Sequence, residues 1–570
     1  MKRFNAISRW KMILNIKLPN KFGSWYWLIV PLVVATVGIL LDIDLPGLYM
    51  DAVNPDYMAA KILGSKALTS IWLMPGNFLF DRFPLLPGLY YGSGMAWLGT
   101  PFYALLGMDI FSIRLVHGIY ALGVLTSMLF LTRKAGVGSF FLLLIGVTVA
   151  LDPSFIFSFR TQFYINTTPL IAFLFALCLL ESVPEASRPK RTMFFSGVLF
   201  GISVYGYFIY AFFFPAVLVA IFTLTSRSTS RAEYKIWVCS WFVGLILGLL
   251  PYIVGYILIM RSLGGIGVFF EYFISMQKTL GSASELGRLQ AVWTYFLTVS
   301  NHTAQSVYWV GSMLPLTGGA YKAVMLLVMP VIIWLIAEWR KTASRWLRLT
   351  IGCTFSYFLV ALFFGARLGA HHFIPIYLFL HLVLAIALYE ISRGWVSNAS
   401  PFSWHRTRAT LLVFSLVIPI GMALQNIHGQ MISRAYLRQS GGVLLYSDAI
   451  TKFSGDILAN HRTALHVMPD WGLLMPAVFL TEGKVDIISE ENFKHARWML
   501  CTGHPVRWAL ITGDKSARFE AIAKKLDWSA PKIESWHQRN GPVVFEVGTF
   551  LPDVPDAFEK CSSPSVFKFP

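Results

Sequence analysis

Five carboxylates crowd the stretch that follows the first long apolar run of this 570-residue chain. Asp42, Asp44, Asp51, Asp56 and Asp81 stand in LLDIDLPGLYMDAVNPDYMAAKIL and FLFDRFPLLPGLYYGSG. A carboxylate beside a bilayer is costly and is usually kept there for a purpose. Partly desolvated, it acquires a modestly raised pKa and suits proton abstraction from a hydroxyl. Asp42 and Asp44 read as solvated acids at the end of the apolar run. Asp56 follows Pro55 and also fits the N-cap of YMAAKIL. Far along the chain, ARLGAHHFIPIYLFLHLVLA sets Arg367, His371 and His372 at the mouth of another apolar run, where cations at headgroup depth suit a phosphate. Arg160 and Arg82 are further candidates for that anion. Tyr49, Tyr57, Tyr90 and Tyr91 offer aromatic faces to a sugar or an isoprenoid chain.

The elements that must hold these groups are membrane helices. The chain is 56% hydrophobic and only 13% charged, with a mean hydropathy of +0.60. Soluble domains carry roughly a quarter charged residues. The formal charge of +18 does not signal nucleic acid, because the basic residues cluster in short connectors between apolar runs. Such connectors hold Arg133 and Lys134; Arg188, Lys190 and Arg191; Arg227, Arg231 and Lys235; Arg340, Lys341, Arg345 and Arg348; Arg393, Arg406 and Arg408. The positive-inside rule assigns them to the cytoplasm. Spans are expected near 25–41, 113–132, 138–151, 163–180, 193–207, 209–225, 237–259, 319–337, 349–365, 373–390 and 409–426, about eleven in all. The N-terminus is then inside and the C-terminus outside.

Four regions follow. Residues 1–24 form a basic amphipathic cytoplasmic segment on anionic headgroups. Residues 25–427 form the helical membrane domain, with external loops over 42–112 and 260–318. Loops of such length are expected to carry interfacial helices, at YMAAKILGSKAL, LPGLYYGSGMAWLG, VFFEYFISMQKTL and LGRLQAVWTYFLTVS. Residues 428–570 form an external soluble α/β domain, in which TALHVM, KVDII, RWALIT and PVVFEVGTF read as strands and SARFEAIAKKL as a helix. Of five cysteines, Cys178, Cys239 and Cys353 fall in spans, while Cys501 and Cys561 fall in the exported tail and are either a disulfide or two free thiols. There is no GxxxxGK or GxGxxG phosphate loop, and no zinc-ligand spacing.

The order of these features resembles the GT-C superfamily of polyprenyl-phosphate-sugar-dependent membrane glycosyltransferases, which includes protein O-mannosyltransferases and lipid A aminoarabinose transferases. The match runs over roughly 25–390. GLYMDAVNPDYMA resembles the loop of catalytic acids after the first span, LPGLYYGSG a following tyrosine segment, and SIRLVHGIYALGVLTSMLFLTRKAG a span opening on Arg. LDPSFIFSFRTQF supplies an Asp-Pro with Arg160 nearby, and the His371–His372 pair stands where many relatives have Arg-Tyr before a proline. The resemblance implies inverting transfer of one sugar from a polyprenyl phosphate to a glycolipid, polysaccharide or protein at the external face; the chain length and the absence of eukaryotic targeting signals fit a bacterial inner membrane, where that face is periplasmic. Asp51 is the first choice for general base and Asp56 the second. One base and a phosphate leaving group require no cofactor. Oligosaccharyltransferase relatives use a divalent cation, for which Asp51, Asp56 and Glu271 would be the hard oxygen ligands to Mg²⁺ or Mn²⁺. Their WWD triplet is absent, and MPDWGLL, with Asp470 and Trp471, reads as an α/β turn. NHT at Asn301 and NAS at Asn398 match glycosylation sequons. The alternatives are a flippase of lipid-linked saccharides and a polysaccharide ligase or polymerase. Transporters favour ionisable groups at the midplane and repeated halves; here the acids gather at one face.

Overall fold

The computed structural model describes residues 25–67, 69, 78–80, 82–225, 231–280, 287–302, 319–397, 404–469, 472–490, 492–493, 504–511 and 515–551. The basic segment 1–24, Asp81, Asn398, Asp470, Trp471, Cys501 and Cys561 lie outside the described residues.

A helix stands over each expected span. Five are long and apolar enough to cross a membrane: Ile110–Lys134, Tyr164–Glu185, Gly319–Trp339, Arg345–Arg367 and Ala370–Ser392. Glu233–Gly248 and Leu250–Ser262 make a sixth if the 50° bend between them interrupts one span. Tyr26–Leu40, Ser139–Ala150 and Phe208–Thr223 are shorter apolar helices. Valine, isoleucine, leucine and phenylalanine point outward in numbers no soluble core leaves bare, among them Val243, Ile246, Leu359 and Phe363. Lipid is their solvent. The helix expected to end near 426 runs on, spanning Trp404–Ser440, and delivers the chain into the C-terminal sheet.

Local chemistry explains the helix ends and crossings. Ile110–Lys134 begins at a capping box in which the Asp109 carboxylate accepts from Ser112 N at 2.7 Å and the Ser112 hydroxyl accepts from Asp109 N at 3.1 Å. It ends on Arg133 and Lys134, which complement the helix dipole. Pro189–Gly206 and Arg231–Gly248 cross at glycines spaced four apart, Gly197 and Gly201 against Gly244 and Gly248. A Cβ on any of the four would run into the facing backbone, the close approach that small-residue pairs permit in membranes.

At the centre is the Ile374–Ser397 helix, whose side chains from Ile374 to Leu388 are buried throughout. Beside it sits an enclosed polar hub. Asp152 caps the Pro153–Ser158 turn by accepting from Ser154 N at 2.7 Å. Its other oxygen accepts from Lys322 Nζ at 2.9 Å and from the Tyr377 hydroxyl at 2.6 Å. His302 stands 3.3 Å away. The hub ties the end of the Arg288–Ser300 helix and the start of Gly319–Trp339 to the central helix.

The C-terminal sheet has five strands in the order β4-β3-β5-β7-β6: β3 (Leu465–Met468), β4 (Ile487–Ser489), β5 (Val506–Leu510), β6 (Lys532–His537) and β7 (Val543–Phe550). β3 pairs in parallel with β4 and β5, and β7 antiparallel with β5 and β6. KIESWH was not expected as a strand, because β6 is a largely exposed edge strand that carries Lys532 and Glu534. The first loop adds to the opposite edge: Thr69 bridges Ile487 in parallel, and the Ser65 hydroxyl donates to Gly483 O at 2.5 Å. A second, two-stranded sheet, β1 (Phe78–Leu79) with β2 (Phe83–Pro84), lies within that loop.

Candidate active site

The first loop is held from both sides before it reaches Asp51. Gly47 lies so close to Ser447 that a Cβ there would meet its carbonyl. Tyr49 packs against Tyr446 with ring centres 4.4 Å apart and planes tilted by 44°, in a small cluster with Ala52 and Leu445. Tyr49 therefore braces the C-terminal region. Residues Met50–Ala52 close one 3-10 turn, with Ala52 N donating to Tyr49 O at 2.7 Å. Asp51 projects from that turn, half-buried. Burial pushes its carboxyl up to about 6, against the lowering effect of a hydrogen bond with Asn54.

Tyrosines surround this charge. Tyr57, Tyr90 and Tyr91 have pKa values raised first by burial, with the Asp51 charge adding to the shift, and Tyr90 reaches about 12, while Tyr207 faces the same charge. All four hydroxyls stay protonated at neutral pH and can donate. The YYGSG segment is laid on the Tyr205–Phe208 corner between two membrane helices. Phe208 N donates to Tyr90 O at 3.0 Å, and Ser93 N donates to the Tyr205 hydroxyl at 3.1 Å. The Tyr91 and Tyr207 rings lie parallel within 13° at 6.0 Å. Gly92 admits this because its Cα meets the Tyr205 ring, where a Cβ would collide. Tyr207 was missed in the sequence, since one tyrosine in an apolar GYFIYAFFF run carries no signal of its own.

Two of these hydroxyls are oriented by fixed donors. Asn54 Nδ2 donates to the Tyr91 hydroxyl. His372 Nδ1 accepts from Gly369 N at 2.8 Å, which assigns its proton to Nε2, 3.3 Å from the Tyr207 hydroxyl. Each tyrosine oxygen is thus an acceptor toward the protein and keeps its O–H for something else.

His371 and His372 occupy the 3-10 turn Ala370–Phe373. Their rings lie 4.0 Å apart, His372 buried and His371 half-buried against Phe163. Asn166 Nδ2 donates to His371 O at 2.8 Å, and the Tyr357 hydroxyl donates to His372 O, so the backbone of this turn is fixed. Arg367 ends the preceding turn, Gly365–Arg367, exposed and without an ion pair among the described residues. Gly365 has φ +55, and a Cβ there would stand 2.8 Å from Arg288 Cγ. Arg288, exposed and unanticipated, is therefore a second cation beside the same turn.

Other expected residues are committed elsewhere. Asp56 has no exposed surface; it accepts from the Tyr103 hydroxyl at 2.7 Å and the Tyr164 hydroxyl at 2.5 Å, with His117 Nε2 at 3.2 Å. It is a clasp between the loop and two membrane helices, with no face open to a substrate. Arg160 is buried and donates to the carbonyls of Asp42 and Ile39 at 2.7 Å each and Leu45 at 3.1 Å, and also to Leu41 O. It satisfies the C-terminal carbonyls of the first apolar helix with both of its terminal nitrogens. Asp42 is held there too, by Arg434 at 3.0 Å and Arg438 at 2.7 Å. Arg82 is exposed and donates to Ile62 O at 2.9 Å. Glu271 is exposed on Ile266–Leu280. Among the described residues no group of three or more His, Cys, Asp or Glu side chains is gathered to hold a metal ion, and the oxygens of Asp56 are already taken, so the three acids weighed as cation ligands do not form one site.

No family model matches the chain, and no curated protein does. Solved structures do. An ArnT from Cupriavidus metallidurans bound to undecaprenyl phosphate matches with a TM-score of 0.53 at 13% identity, over 92% of this chain and 98% of that one. The apo state of the same protein matches at 0.54 and 12%, over 93% and 98%. The oligosaccharyltransferase of Archaeoglobus fulgidus, in complex with Zn and sulfate, matches at 0.44 and 12%, a likeness too low to bear on the site. The chain is an integral membrane protein that shares the fold of these ArnT structures.

Proposed function

We propose that the chain transfers one sugar from a polyprenyl phosphate to an acceptor hydroxyl, with inversion, at the external face of the membrane. The observation that carries this reading is Asp51: half-buried, raised to about 6, and surrounded by four protonated tyrosine hydroxyls. Asp51 takes the acceptor proton as the acceptor oxygen attacks the anomeric carbon. The bond from that carbon to the phosphate oxygen breaks, and the polyprenyl phosphate leaves with the electron pair. A pKa near 6 leaves most of the base ionised at pH 7 while keeping it basic. The oriented O–H groups of Tyr91 and Tyr207 supply donors for the charge that develops on the phosphate. Arg367, His371 and Arg288 supply donors at the edge of the site, where a lipid headgroup would lie.

The shared fold with an ArnT that binds undecaprenyl phosphate supports a polyprenyl phosphate as donor. The acceptor class is a glycolipid, polysaccharide or protein. The external face would be the periplasmic face of a bacterial inner membrane. The test is sugar transfer in reconstituted membranes with a panel of polyprenyl-phosphate sugars, comparing the native chain with Asp51→Asn. Consumption of one donor, lost in the variant while the donor still binds, supports the assignment. Normal turnover by the variant overturns it. Movement of a lipid-linked sugar across the bilayer without its consumption makes the chain a transporter.

A further inference from the structure

A groove of about 530 Å³ opens at the far ends of the helices that carry the candidate active site. The Arg345–Phe364 helix shows the distance. Arg345 begins it and Arg367 follows its end, so twenty residues at 1.5 Å separate them, about 30 Å and a bilayer's thickness. The groove is therefore at the opposite membrane face. Its wall is apolar and short-chained, with Pro215, Ala216 and Val219 on one side and Leu349 and Gly352 on the other. Ser356 closes its inner end by donating to Phe212 O at 2.7 Å.

Length and orientation narrow what fits. Arg345 and Ser356 are eleven positions apart on one helix, about 16 Å, which is half the roughly 30 Å hydrocarbon core. The groove thus runs from one membrane face to the middle of the bilayer. Its rim is open to lipid: Val219 is 62% exposed, and Phe355 and Leu359 flank it bare. The mouth is basic. Lys134, Arg345 and Arg348 stand with Glu181, Glu185 and Glu338, and Arg340 and Lys341 lie in the connector that leads into the Arg345–Phe364 helix. Arg345 meets Glu181 at 3.0 Å and Arg348 meets Glu338 at 2.5 Å, yet each guanidinium has five N–H donors and both remain some two-fifths exposed.

We propose that this groove binds one anionic phospholipid of the adjacent leaflet, an acyl chain lying over the floor that Ala216 and Gly352 form together and the phosphate on the remaining donors of Arg345 and Arg348. Basic pockets between membrane helices take acidic headgroups for this reason. A zwitterionic lipid fills the same groove but gains less from the basic mouth. The inference is independent of the proposed transfer reaction.

Native mass spectrometry of the full chain, titrated with phosphatidylglycerol and separately with phosphatidylcholine, tests it. The expected result is one retained phosphatidylglycerol per chain, held about tenfold more tightly than phosphatidylcholine. Arg345→Gln with Arg348→Gln should abolish that preference. Gly352→Phe should lose the lipid itself, because a Cβ there meets only Ala216 Cβ at 3.9 Å and a ring would lie along the groove. Equal retention of both lipids by the native chain overturns the proposal. So does unchanged retention in the variants, or replacement of the bound lipid by undecaprenyl phosphate at stoichiometric amounts, which would mark a carrier site. Should Gly352→Phe not fold, the double glutamine variant on exposed positions decides alone.

Discussion

His372 Nε2 lies 3.3 Å from the Tyr207 hydroxyl, and that contact joins the turn of the two histidines to the tyrosines around Asp51. Because Gly369 N occupies Nδ1, the imidazole donates and the tyrosine keeps its own proton for a ligand. Tyr207→Phe removes one such donor. Its kcat is expected to fall about 10- to 100-fold, toward the lower range for loss of a single transition-state donor, with donor KM little changed. His372→Ala should mimic it, and initial rates against donor concentration separate the two constants.

Asp51 gives activity and stability opposite pH slopes. As the base it must be ionised, so the rate should fall about tenfold per pH unit below about 6 and level off above it. Its folded pKa is raised from the ordinary 3.8, so ionising it costs the native state stability: that contribution is complete below 3.8 and is lost as pH rises through about 6. Asp51→Asn should remove the acidic limb of the rate profile along with about 10²- to 10⁴-fold of turnover. A pH–rate series on donor consumption checks both.

Asp56 is expected to matter through folding. Replacing it by Ala leaves the Tyr103 and Tyr164 hydroxyls and His117 without their shared acceptor. Each buried group so orphaned costs about 1–3 kcal/mol. Asp56→Ala should unfold at lower temperature in detergent, and the fraction that remains folded should bind donor normally. Loss of turnover in Asp56→Asn at unchanged melting temperature would instead mark a catalytic role.

Two arginines should divide by kinetic constant. Arg160→Met should lower the melting temperature, because the carbonyls of Ile39, Leu41, Asp42 and Leu45 lose their donor. Arg367→Gln should leave stability alone and raise donor KM several-fold, as expected for an exposed cation without an ion pair. Melting and saturation curves on both variants read this out.

The buried hub predicts non-additivity. Lys322→Met strands the Asp152 carboxylate inside the protein and should cost about 3–5 kcal/mol. Lys322→Met with Asp152→Asn removes both charges and should recover part of that loss. Unfolding midpoints of the two single variants and the double variant form the cycle.

The amino-acid sequence by itself determined the membrane class and the approximate positions of the long apolar helices, although the last of them runs on to Ser440. These follow from local composition: an apolar run in lipid has no alternative to a helix that satisfies its own backbone. It also marked four of the five strands in the last sheet, and it singled out Asp51. It ranked Asp51 over Asp56 and Arg367 over Arg160 but held no physical partner for any of them. In sequence each is a charged residue next to an apolar run. Only the tertiary structure supplied the difference, by bringing Tyr103 and Tyr164 onto Asp56 and the end of the first helix onto Arg160, while leaving Asp51 half-open and Arg367 bare. Tyr207 and Arg288 entered the site by the same route, through contacts between segments far apart in the chain. The role of a charged group depends on which partners desolvate and hydrogen-bond it, and those partners are chosen by packing, not by neighbours in sequence.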